Sequence, residues 1–77
     1  MKVSEFLRMM PDAWRRGQQV RVDFVFEDKH VSTMKGDAPW ILDNIPADYD
    51  MPVQTFHTNV EYNGEKPVSV LSIGAWV

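Results

Sequence analysis

The sequence predicts a small α+β domain: a short N-terminal helix packed on an antiparallel sheet of about four strands in two hairpins. Three observations carry this. Apolar residues recur at helical spacing over positions 3–10, the period changes to two from Val20, and an Asn63-Gly64 pair divides two strand-like runs near the C-terminus. A length of 77 residues fits one domain, 1–77.

Val3, Phe6, Leu7 and Met10 follow the i, i+3, i+4, i+7 spacing of one helical face. Pro11 lacks an amide proton and clashes with the preceding turn, so it ends or bends that helix. Asp12 to Arg16 can add one more turn, with Gly17 at the left-handed closing position. Val20, Val22, Phe24 and Phe26 then alternate with Arg21, Asp23, Val25 and Glu27, the pattern of a half-buried strand. Glu27 to His30 reads as a polar turn into a shorter strand at Val31 to Met34, which Lys35-Gly36-Asp37 breaks.

Pro39, Pro46 and Pro52 forbid a continuous strand over the next stretch, because each lacks a ladder donor. Asp37 is placed to cap a short helical segment through Leu42, and Asp43 to Asp50 reads as a surface loop. Val53 to Tyr62 and Pro67 to Val77 flank Asn63-Gly64, the strongest short hairpin signal. With those two residues as the central pair of a type I′ turn, Glu61 faces Lys66, Thr58 faces Ser69 and Phe56 faces Leu71. The last strand is apolar on both faces. It is either central in the sheet or an edge that pairs with a second copy, and Gly74 marks a bulge or a close approach.

Composition narrows the chemistry. The absence of cysteine removes disulfides, thiolate metal sites and a cysteine nucleophile together, and favours an intracellular, cytoplasmic setting. No apolar run approaches the ~20 residues that span a bilayer, and the first residues lack the apolar stretch of a signal peptide. His30 and His57 sit in no metal spacing and beside no nucleophile motif. Asp43, Asp48 and Asp50 do not match the calcium-loop pattern. The expectation is therefore a chain that is not an enzyme, with no catalytic residues, no metal site and no cofactor.

What remains is binding. Asp37, Trp40, Asp43, Asp48, Tyr49 and Asp50 combine acids with two aromatics on a proline-stiffened segment. Aromatics supply anchor area, and carboxylates pair with arginines that otherwise hold phosphate. A solvated loop is the plain alternative. Residues 1–21 carry a net charge of +3 and residues 22–77 one of −6, an asymmetry that either steers a partner or arises by chance. Arg8, Arg15, Arg16 and Arg21 beside Trp14 offer a weak nucleic-acid footprint, so direct nucleic-acid binding is the lesser reading.

Val3-Ser4-Glu5-Phe6-Leu7-Arg8-Met9-Met10-Pro11-Asp12-Ala13, followed by Val20-Arg21-Val22, resembles the start of many small phage and prophage accessory proteins. Those run Val-x-Glu-Leu-Leu through a short helix to Pro-x-Asp-Ala and then into a Val-x-Val strand. The resemblance covers about the first 22 residues, and this chain departs from it by inserting residues 14–19. It implies a protein of phage type that binds and inhibits or redirects a host macromolecular complex, as anti-CRISPR proteins do, in the host cytoplasm. The partner is then a host protein or ribonucleoprotein. A self-associating assembly protein and a nucleic-acid-binding accessory are the alternatives, and the chain itself is a monomer or homodimer.

Overall fold

The structure is a computed structural model, and it describes residues 1–10 and 18–77. Helix α1 spans Val3–Arg8, with its apolar face inward as the spacing predicts: Val3 and Leu7 are buried and Phe6 is half-buried. The Glu5 carboxylate accepts from the Lys2 amide at 3.3 Å, one half of a capping box. The predicted bend at Pro11, the extra turn and the glycine stop lie outside the described residues.

Strand β1 (Gln19–Val25) pairs antiparallel with β2 (Val31–Asp37). Val20, Val22 and Phe24 of β1 are fully buried, so the period-two pattern is realised. The connecting turn closes with the Lys29 amide on the Phe26 carbonyl at 2.8 Å and the Phe26 amide on the His30 carbonyl at 3.0 Å. Lys29 takes a positive φ of 68°, the left-handed residue that a three-residue loop requires. Strand β2 does not break at Lys35: Gly36 continues the ladder opposite Val20. It stays in the strand because the Trp40 ring packs against it. A Cβ built on Gly36 would stand 2.7 Å from that ring.

Helix α2 (Ala38–Asn44) follows, capped as expected by Asp37, whose carboxylate accepts from the Trp40 amide at 2.8 Å. The chain then makes a 3-10 turn, Ala47–Tyr49, before β3 (Val53–Asn63) and β4 (Lys66–Trp76). The expected surface loop over 43–50 is thus partly helical. Its Tyr49 ring turns inward, 5.2 Å from Phe24 and 4.9 Å from Phe26 between centroids.

The sheet has the order β2-β1-β4-β3. Helix on sheet and two antiparallel hairpins match the sequence reading, but the central pair β1–β4 is parallel, so the sheet is mixed. Residues 38–52 form a crossover that carries the chain back to the end where β2 began. Strand β3 therefore runs in the direction of β2, and β4 in that of β1. One apolar cluster, including Val22, Phe24, Ile41 and Ile73, lies between the sheet and the two helices. The opposite face carries the charged and hydroxyl side chains, with Asp23 accepting from Thr33 at 2.7 Å and lying 3.4 Å from Arg21, and at one end Val25, Val31 and Trp76 side by side.

The second hairpin departs from the predicted register. Glu61 faces Val68, Thr58 faces Leu71 and Phe56 faces Ile73, with Asn63 opposite Lys66 and Gly64-Glu65 at the turn. Only Gly64 of that central pair has positive φ, 70°, as a type II′ turn requires. Pro67 supplies the reason. A two-residue hairpin closes on a hydrogen-bonded pair and alternates from there. The predicted register would ask Pro67 to donate an N–H to Val60, whereas the observed one sets it opposite Tyr62 at a non-hydrogen-bonded pair. The slip is by two residues, so each side chain keeps its face. Opposite Gly74 the ladder shifts between Val53 and Thr55, which is the irregularity that glycine foreshadows.

Candidate interaction surface

The six residues singled out from the sequence do not form one patch. Asp37 is engaged as the α2 cap. Asp50 is spent on α1, its two oxygens accepting from the Ser4 amide at 2.9 Å and the Ser4 hydroxyl at 2.6 Å. Tyr49 packs into the aromatic group around Phe24. That leaves Trp40, Asp43 and Asp48 exposed, with Trp40 at 47% and resting on Gly36 beside the β2 edge. The spacing showed an acid-rich segment, but not which acids the fold itself consumes.

A run of exposed apolar residues lies elsewhere, on β3. Phe56, Val60 and Tyr62 point to the helix-bearing side of the sheet yet are 60%, 62% and 73% exposed. Element length explains this. Six helical residues reach about 9 Å, while the eleven residues of β3 extend about 36 Å. Among the described residues, helix α1 therefore covers the start of the hairpin and nothing covers its outer half. Phe6 meets Phe56 at 5.1 Å between ring centroids, the last contact before cover ends.

Beside that contact lies an open groove of about 850 Å³, lined by Phe6, Met9, Met10, Phe56, Thr58 and Leu71. Met9 is 70% exposed at its rim. Flexible thioethers beside aromatic rings adapt to varied apolar partners. The sequence carried a signal for this surface, since Phe56, Val60 and Tyr62 fall at even spacing on one strand.

The histidines occupy separate regions. His57 is exposed on the polar face opposite Ser72. His30 stacks on Phe26 at 4.3 Å and pairs with Asp28 in the first turn. The amide and ring of His30 hold the Asp28 carboxyl below its ordinary range. Among the described residues no group of three or more His, Asp or Glu is placed to hold a metal ion. No described helix is long and apolar enough to cross a membrane.

Of the two readings of β4, the central one holds: it lies between β1 and β3, paired on both sides. Of the basic head, Trp14, Arg15 and Arg16 lie outside the described residues, and Arg21 lies against Asp23. No family model matches the chain, and no curated protein or solved structure matches it either.

Proposed function

We propose that this chain is a small binding protein of phage type that docks onto a host macromolecular complex and inhibits or redirects it, without catalysis. The contact is the open face of the second hairpin with the groove beside α1. The observation that carries this reading is the run of exposed Phe56, Val60 and Tyr62, continuous with Phe6 and Met9. Large apolar side chains left in water on a small domain favour a protein partner, since aromatic and methionine side chains are what interface centres use. Glu65 at the hairpin tip suits a basic rim on that partner. Trp40 beside the β2 edge, with the exposed Asp43 and Asp48 of the same crossover, contributes a secondary contact.

The test is capture from bacterial lysate on C-terminally tagged protein, comparing wild type with Phe56→Ser/Tyr62→Ser. The expected result is one stoichiometric complex whose own activity falls when the protein is added, and which the double variant neither retains nor inhibits. Equal capture and inhibition by a folded double variant would remove this surface from the reading. Charge reversal of Asp43 and Asp48 then decides whether the acidic end carries it instead.

A further inference from the structure

The outer edge of β3 has a symmetry that its side-chain face does not require. Strand β3 ends the sheet, and its first residues are already guarded: the Val53 amide donates to the Met1 carbonyl at 2.7 Å and the Val3 amide to the Met51 carbonyl at 3.1 Å. Beyond the ladder shift at Val53/Thr55 the edge is open among the described residues until the turn after Asn63. The midpoint of the 55–63 window is Asn59. Within it, the alternation of the hairpin turns the N–H and C=O groups of Phe56, Thr58, Val60 and Tyr62 outward, a set symmetric about the same residue.

We propose that β3 pairs antiparallel with β3 of a second copy about a two-fold axis at Asn59, joining two four-stranded sheets into one. In that register Phe56 faces Tyr62 of the second copy, and Thr58 faces Val60, through about eight backbone hydrogen bonds. On the polar face His57 meets Glu61 at a non-hydrogen-bonded pair, where side chains approach most closely. Each contact occurs twice, as an isologous interface demands. Shifting the register by two in either direction loses the match, setting His57 opposite Asn59 or Asn63. The edge also lacks the usual guards: Thr55 to Tyr62 contain no lysine and no proline. The pairing uses the backbone edge and leaves the apolar faces of both hairpins side by side. It goes beyond the proposed binding role and stands or falls without it.

A single strand pairing is small beside the ~1,600 Å² of a standard interface, so the dimer is concentration-dependent. Sedimentation equilibrium of the full chain from about 10 µM to about 1 mM reads it directly. The expected mass rises from 8.9 kDa toward twice that value. Thr58→Pro removes an outward N–H that β4 does not use, so a folded monomer is expected at every concentration. A charge swap does not depend on that variant folding. His57→Glu sets two carboxylates opposite each other and should weaken association about tenfold, and adding Glu61→Lys should restore it. A wild-type mass of 8.9 kDa throughout overturns the proposal. So does a folded Thr58→Pro variant that dimerises like wild type, or a double variant no tighter than His57→Glu alone. None of these readouts involves a host partner.

Discussion

The first hairpin and the second begin from the same kind of strand and end in different environments. On β1, Val20, Val22 and Phe24 alternate inward and are fully buried; on β3, Phe56, Val60 and Tyr62 alternate toward the same side and stay in water. The difference is the roof above them. Helix α2 and the 3-10 turn close over β1 and β2 with Ile41 and Tyr49, while six residues of α1 cannot span eleven residues of strand. Amphipathic alternation records which way a side chain points. Whether anything lies above it is a matter of lengths.

The sharpest way to break this comparison is to make one change in both hairpins. Phe24→Ala should cost about 3–5 kcal/mol, most of the stability of a domain this size, because it empties a site lined by Tyr49 and the core. Phe56→Ala, on the same side of the sheet, should cost no more than about 1 kcal/mol. Thermal melts of the two variants check it, and equal losses would mean that the second hairpin is covered after all.

A smaller contrast separates the acids. Asp50→Ala should cost about 1–3 kcal/mol by orphaning the Ser4 amide and hydroxyl, whereas Asp43→Ala and Asp48→Ala should stay within about 0.5 kcal/mol. Urea titrations resolve the difference. The smallest effect belongs to the β1–β2 turn. The Asp28 carboxyl is held below its ordinary pKa chiefly by the His30 amide, so its contribution is present above the usual aspartate range. It should fade as pH falls below about 4 through the depressed value. Asp28→Asn should flatten that dependence, read from the His30 amide by NMR.

Local features were legible in the sequence because their causes are local. The α1 face, the β1 alternation and the Asp37 cap each depend on residues within a few positions of one another. The register of the second hairpin was legible in principle, since Pro67 forbids a hydrogen-bonded site, but the Asn-Gly signal points to a neighbouring register. The parallel β1–β4 contact and the inward turn of Tyr49 arise from where the 38–52 crossover comes down, which no short-range pattern encodes. For the same reason the candidate site divided. Asp37, Tyr49 and Asp50 serve the fold, and only Trp40, Asp43 and Asp48 face solvent from that segment.

The short bridge between Lys2 and Pro52 bears on how the protein is handled at the bench. Because it runs antiparallel, with Met1 bonded to Val53, any residues fused ahead of Met1 continue in line with Gln54, Thr55 and Phe56. An N-terminal affinity tag would lie along the open edge as an extra strand and compete with whatever binds there. Tags on this protein belong at the other terminus.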